Sequence, residues 1–269
     1  MEKQRQNATD RHIQLIALLK ERGYCTIAAM SQILHVSPMT IRRDLALLQE
    51  EHIVEVTYGG ARFIISEPTE PDFTIRSHEH LAAKQAIGKR AAEFVEEGDV
   101  IGIDSGSTTL EVARNLPNIP LTVVTHSLPA ANIIAQNKQH QLIMLGGILQ
   151  PNSGFFYGPQ AIAALQTLYI NKLFLATSGL LLPTTLSSPY LFDAEFKQVL
   201  LTSSRNVILC MDSSKIGLAF LARFATLDAV STLVIDNTIS EENREIIEQQ
   251  KVKVVTVLPS STNNFAPFL

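Results

Sequence analysis

The sequence predicts a two-part α/β protein, a small helical unit closed by a hairpin and then a larger, mainly parallel α/β domain. Three observations carry that expectation. The chain's 269 residues exceed a typical single domain. Residues 1 to 66 show helical periodicity that gives way to two short strand-like runs around a glycine pair. From residue 79 onward, apolar strand-like runs alternate with amphipathic helical ones.

Composition fits a folded chain, with 46% hydrophobic and 18% charged residues. No apolar run approaches the ~20 residues a membrane span needs, and the polar opening has no apolar signal-peptide core, so a cytoplasmic location is expected. Cys25 and Cys210 are far apart and form no CxxC pair, which points to reduced, buried thiols. His78 and His80 flank Glu79 in a polar stretch with no third ligand nearby, so no metal or other cofactor is expected. The net charge of −4 hides an asymmetry. Residues 1 to 66 carry 8 Lys/Arg against 7 Asp/Glu, leaving 14 against 19 for the rest, so the basic charge is local and its placement matters more than its total.

Asp10 stands at an N-cap position, Ile13, Ile16 and Leu19 recur at helical spacing, and Gly23 offers a stop, giving a helix of about residues 11 to 22. Thr26 caps a shorter helix through Ile27, Met30 and Ile33. Ser37 and Pro38 read as N-cap and first helical residue of a third. Ile41, Leu45 and Leu48 fall on its inward face, while Met39, Thr40, Arg42 and Arg43 occupy the other, in the first turns that reach base edges in a major groove. Residues 53 to 57 and 62 to 65 flank Tyr58-Gly59-Gly60-Ala61 as strand, turn and strand, the hairpin called a wing. Candidate DNA contacts are therefore Ser37, Met39, Thr40, Arg42, Arg43, Tyr58 and Arg62. A small winged helix-turn-helix used for protein contacts is the bland alternative.

Residues 67 to 78 hold two prolines and several charges without periodicity and read as a linker, leaving 79 to 269 as the second domain. Its strand-like runs are 100 to 104, 121 to 124, 142 to 145, 173 to 176, 207 to 211, 233 to 236 and 252 to 257. Amphipathic segments lie near 80 to 96, 108 to 115, 128 to 136, 159 to 168, 193 to 203 and 241 to 250. Strands apolar on both faces and separated by helices imply a parallel sheet covered on each side, with ligands at its carboxyl edge. There stands Asp104-Ser105-Gly106-Ser107-Thr108-Thr109, where Gly106 suits a tight turn and hydroxyls and amides face a helix N-terminus, an anion cradle suited to phosphate. An ordinary capped turn is the alternative. Thr125-His126-Ser127, Gly146-Gly147 and Asp212-Ser213-Ser214-Lys215 end other strands, and Glu195 and Lys197 open a later helix, Glu195 as an acceptor for sugar hydroxyls. The candidate effector site thus comprises residues 104 to 109 together with Thr125, His126, Ser127, Gly146, Gly147, Glu195, Lys197 and Lys215.

The run Val36-Ser37-Pro38-Met39-Thr40-Ile41-Arg42-Arg43-Asp44-Leu45, followed by Tyr58-Gly59-Gly60-Ala61, resembles the N-terminal signature of the DeoR family of transcriptional regulators. Asp-Ser-Gly-Ser-Thr-Thr at 104 to 109, the Thr-x-Ser-Leu run at 125 to 128, Leu-Gly-Gly at 145 to 147, Ala-Glu-x-Lys at 194 to 197 and Asp-Ser-Ser-Lys at 212 to 215 follow the order of that family's sensor domain. The resemblance spans about residues 10 to 257. It implies a sensor fold related to ribose-5-phosphate isomerase, in which the Ser-Gly-Ser-Thr loop holds the phosphate of a sugar effector. The family's Asp-Gly-Ile-Asp and Gly-Leu-Thr are replaced here by Ser178-Gly179-Leu180-Leu181 and Thr185-Leu186-Ser187, and Tyr190 and Phe192 stand at usually polar positions. A pocket less polar on that side is expected.

The resulting expectation is a repressor of a carbohydrate-utilisation operon, a homo-oligomer that binds double-stranded operator DNA and a phosphorylated sugar. One alternative is a phosphosugar isomerase with an accessory DNA-binding domain, using Glu195 as base and Lys215 toward an enediolate. Loss of the two carboxylates at 178 to 181 weighs against it. A ligand-independent DNA-binding protein is the other.

Overall fold

The computed structural model describes residues 11 to 259, apart from 13, 17, 20 to 23, 51 to 53, 58 and 64 to 72. It divides into two compact units, Met1–Ser66 and Glu67–Leu269.

In the first unit, residues 11–12, 14–16 and 18–19 are helical. The buried positions there are Leu15, Leu18 and Leu19, with Ile16 half-buried, while the expected cap Asp10, Ile13 and the stop at Gly23 lie outside the described residues. A strand that sequence periodicity did not signal, β1 (Tyr24–Thr26), leads into α1 (Ile27–Ile33). Thr26 caps that helix as expected, its hydroxyl accepting from the Ala29 amide at 3.2 Å. Of the expected α1 positions Met30 is buried, whereas Ile33 is exposed. Helix α2 (Pro38–Glu50) buries Ile41, Leu45 and Leu48 against the same small core. The hairpin pairs β2 (Val54–Thr57) with β3 (Gly60–Phe63), and β3 lies between β1 and β2. Its second strand starts at Gly60 rather than 62, because Thr57 pairs with Gly60 across a turn in which Gly59 takes φ +85°.

The second unit begins, among the described residues, with α3 (Phe73–His78) and α4 (Leu81–Ala92). Residues 73 to 78 are therefore not plain linker. Phe73 packs against the core and its amide donates to the Asn152 carbonyl at 2.8 Å, tertiary anchoring that periodicity over so short a stretch does not reveal. Then follow β4 (Val100–Ile103), α5 (Ser107–Arg114), β5 (Leu121–Thr125), α6 (Leu128–Ile134), β6 (His140–Met144), the hairpin β7 (Ile148–Gln150) and β8 (Phe155–Tyr157), α7 (Pro159–Leu165), β9 (Ile170–Leu175), β10 (Gly179–Leu181) and β11 (Thr185–Ser188). The chain continues through α8 (Leu191–Thr202), β12 (Ser204–Cys210), β13 (Ala222–Thr226), β14 (Thr232–Asp236), α9 (Glu241–Gln249) and β15 (Lys253–Val257).

Seven strands form one sheet in the order β15-β14-β12-β9-β4-β5-β6, and every pairing in it is parallel. The seven expected strand runs are these seven strands. Alternation along each strand sends side chains to opposite faces. Phe174, Ile208 and Val234 face a core shared with Ile87, Val112 and Ile134, whereas Leu173, Leu209 and Leu233 face one shared with Leu165, Phe196 and Phe224. A small antiparallel sheet, β10-β11-β13, belongs to the second core. Strand order reverses direction between β4 and β9, so the crevice at their carboxyl ends is where such sheets bind ligands.

Candidate functional site

On α2 the two faces separate as the spacing requires. Met39 is 70% exposed, Arg42 and Arg43 are exposed, and Thr40 is half-exposed. Ser37 caps the helix: its hydroxyl accepts from the Thr40 amide at 3.2 Å and lies 2.9 Å from the Thr40 hydroxyl. Tyr58 and the side chain of Arg62 lie outside the described residues. Sequence reasoning missed Asp44, which is buried beneath the exposed face and accepts from Arg11 at 2.5 and 3.0 Å, with His12 Nε2 at 3.2 Å. Burial works against its ionisation, but the hydrogen bonds and charges of Arg11 and His12 outweigh it, and the Asp44 pKa falls below the usual carboxylate value.

In the second unit a cleft opens at the β4/β9 crevice, lined by Ser105, Gly106, Ser107 and Thr108 from one side and Ala176, Thr177 and Ser178 from the other. Arg76, Asp193, Lys197 and Lys215 also reach it, with Phe155 and Met211 as apolar wall. Helix α5 starts here with no side-chain cap, which leaves its first-turn amides for an anion. Gly106 is extended at φ 172°, so no unusual turn demands it. A Cβ there would stand 2.6 Å from the Ala176 Cβ, and the glycine is needed for this close approach of the two strand ends.

Asp104 lies below the cleft as a brace. Fully buried, it accepts from the Ser105 amide at 2.8 Å, the Ala176 amide at 2.9 Å and the Lys197 ammonium, which also donates to the Ala176 carbonyl at 3.2 Å. Thr109 turns its hydroxyl back to the Asp104 carbonyl at 2.7 Å and Thr125 donates to the Ile103 carbonyl at 2.7 Å, so both serve the backbone rather than the cleft. Ser127 is buried and caps α6 through the Ala130 amide. His126 is buried between Phe155 and Phe196, its Nε2 3.8 Å from Asp104. Burial, reinforced by the charge of Lys197, holds its pKa well below the ordinary value, so the ring is neutral.

Besides Asp104, Thr109, Thr125, His126 and Ser127, which lie beneath it, three further expected residues do not reach the cleft. Gly146 and Gly147 follow β6 at the sheet edge, two strands from β4, and Gly147 is instead pressed against the Tyr157 carbonyl in the neighbouring hairpin. Glu195 is exposed and lines a separate depression with Tyr157 and Phe192. On a helix, residues two apart face away from each other. Glu195 and Lys197 of α8 therefore serve different surfaces, and the residue sharing Lys197's face is Asp193, four positions earlier. That i, i+4 spacing was the signal for Asp193. Of the departures at Ser178, Leu181, Thr185 and Tyr190, only Ser178 lines the cleft, and Leu181 is exposed.

Arg76 was also missed, because it stands in the stretch read as linker. Its guanidinium lies 3.5 Å from the Ser153 hydroxyl. Beneath it Lys84, buried on the apolar stripe of α4, donates to the Arg76 carbonyl. Burial lowers the Lys84 pKa, with Asp212 opposing the shift. Lys215 is carried on the short turn Ser213–Lys215, fixed by Asp212 to the Ser214 amide and by Asp236 to the Ser213 amide at 2.7 Å.

Two family models match the chain: a DeoR-like helix-turn-helix domain over residues 11–67 and the DeoR C terminal sensor domain over residues 79–237. The uncharacterized HTH-type transcriptional regulator YulB of Bacillus subtilis is 34% identical across 92% of this chain and 96% of its own length. A putative aga operon transcriptional repressor of Escherichia coli O157:H7 is 29% identical across 95% of this chain and 96% of its own. The L-fucose operon activator of Escherichia coli K12 is 32% identical across 82% and 92%. Among solved structures, ribose 5-phosphate isomerase A from Methanocaldococcus jannaschii aligns at a TM-score of 0.37 and 17% identity, over 49% of this chain and 53% of that one. Among the described residues no helix is long and apolar enough to cross a membrane.

Proposed function

The chain belongs to the DeoR family of transcriptional regulators, and from that membership we propose that it is a repressor of a carbohydrate-utilisation operon, released from its operator by a phosphorylated sugar. The carrying observation is the cleft at the β4/β9 crevice, where the uncapped start of α5 and the cations Arg76, Lys197 and Lys215 converge. Amides at a helix N-terminus and several cations suit a phosphate monoester. Ser107, Thr108 and Ser178 add hydroxyls for a polar ligand.

DNA binding falls to α2. Arg42 and Arg43 would enter the major groove, where a guanidinium pairs bidentately with guanine, and the chain would act in the cytoplasm where operator DNA lies. Operators with repeated half-sites call for paired recognition helices, so the working form is a homo-oligomer. The role is non-enzymatic: Glu195, the base an isomerase reading would use, is not among the residues of the cleft. The relatives' names carry both signs, a putative aga operon repressor and an L-fucose operon activator, so the direction of the ligand effect is what the titration decides.

Fluorescence anisotropy of the full chain on DNA upstream of its own gene, titrated with phosphorylated sugars, tests this reading. Sequence-specific binding weakened by one sugar phosphate, recovered chemically unchanged, is the expected outcome. Specific binding indifferent to every sugar phosphate would remove the sensor assignment, binding strengthened by one would reverse the sign, and conversion of the sugar would reinstate the enzyme.

A further inference from the structure

The cleft is cationic except at one place. Asp193, in the first turn of α8, is only 6% exposed. Its Oδ2 accepts from the Ser188 hydroxyl at 2.6 Å. Its Oδ1 is buried, lies 3.9 Å from the Lys197 ammonium, and has no hydrogen-bond partner among the described residues. A buried carboxylate oxygen without a donor carries an unrecovered desolvation cost, and burial accordingly raises the Asp193 pKa. Thr177 and Ser178 line the same cleft. Thr177 spends its hydroxyl on the carbonyls of Gly179, at 2.9 Å, and Ser187.

We propose that Asp193 is the specificity-determining residue of the cleft, its Oδ1 accepting a hydrogen bond from a hydroxyl of the ligand. The inference rests on the reading of the cleft as a phosphate site and narrows the ligand to a hydroxylated monophosphate, a polyol or sugar carrying one phosphate. A second anionic group beside the Asp193 carboxyl finds an acceptor and no donor there, so bisphosphates and phosphorylated carboxylic acids are selected against. The missing donor also gives the site its discrimination: a ligand without the hydroxyl leaves Oδ1 buried and unpaired, which is how a polar pocket rejects a deoxy analogue.

Calorimetric and thermal-shift titration of the full chain tests this, with inorganic phosphate, a series of pentose and hexose monophosphates, their monodeoxy analogues and the corresponding bisphosphates. The wild type is expected to bind one hydroxylated monophosphate better than inorganic phosphate, and better by about 10- to 150-fold than one of its deoxy analogues, the range of a charge-assisted hydrogen bond. Asp193→Ala is expected to lose that discrimination while binding inorganic phosphate at least as well. Asp193→Asn, which keeps the acceptor and the Ser188 contact, is expected to retain part of it. The deoxy comparison needs no variant, so it stands even where Asp193→Ala fails to fold. Equal binding of the best monophosphate and all its deoxy analogues, or equal loss of phosphate and sugar phosphate in both variants, overturns the role of Asp193 and leaves the phosphate cradle standing. Wild-type protein that binds no phosphate of any kind overturns the cradle and the inference with it.

Discussion

Lys197 and Asp104 hold the cleft's two halves together, since Asp104 collects the Ser105 and Ala176 amides and Lys197 neutralises it. Neither side chain is more than 4% exposed. Removing one partner of such a pair leaves an uncompensated buried charge, so Lys197→Ala should cost ~3–5 kcal/mol in chemical denaturation of the second unit. Lys215 stands on a half-exposed turn and, among the described residues, makes no comparable buried pair, so Lys215→Ala should weaken sugar-phosphate binding by about tenfold or more with the denaturation midpoint nearly unchanged. Calorimetry and denaturation on the same samples separate the two. On α2, changing Arg42 or Arg43 to Ala should cost ~1–3 kcal/mol and relax preference at one operator position where that residue reads a base. A loss uniform across all operator variants in the anisotropy assay would assign the residue to phosphate contact instead.

At the scale of elements, α2 is held from both sides, by apolar packing and by one carboxylate. Leu45 is fully buried in the small core of the first unit, and Leu45→Ala should cost ~2–5 kcal/mol, with DNA binding lost through unfolding rather than contact. Asp44 ties α2 to the opening helix through Arg11 and His12. Because its folded pKa is depressed, its contribution is present above the ordinary carboxylate range, near ~3.9, and is lost as pH falls through the lowered value. The melting temperature of the first unit should therefore drop with acid below about pH 4, and Asp44→Asn should melt lower at neutral pH and flatten that slope.

For the molecule as a whole, the proposed regulation requires ligand and operator to be coupled through the equilibrium between binding-competent and released states. A coupling of ~1–3 kcal/mol changes operator affinity about 5- to 150-fold, and by linkage operator DNA must weaken sugar-phosphate binding by the same factor. Measuring both arms of that cycle with the full chain checks it, and unequal factors would mean that the ligand acts on a different species from the one that binds DNA. At 100 times its Kd, the sugar phosphate should stabilise the second unit by ~2.7 kcal/mol.

The sequence by itself determined the kinds and order of elements. Strands apolar on both faces announce a covered parallel sheet, and Ile41, Leu45 and Leu48 set the buried face of α2 and so expose Arg42 and Arg43. It also brought Ser105 to Thr108 and Lys215 to one cleft, since parallel strands deliver their following loops to one edge. Only the tertiary structure decided which strand ends are neighbours: β9 beside β4 brings in Thr177 and Ser178, while β6 at the edge leaves Gly146 and Gly147 outside. It likewise decided that Thr109, Thr125 and His126 face inward and that Arg76 and Asp193 belong to the cleft. Periodicity reports which face of an element is apolar, a local property, whereas strand order and helix rotation follow from long-range packing that no short window of sequence contains.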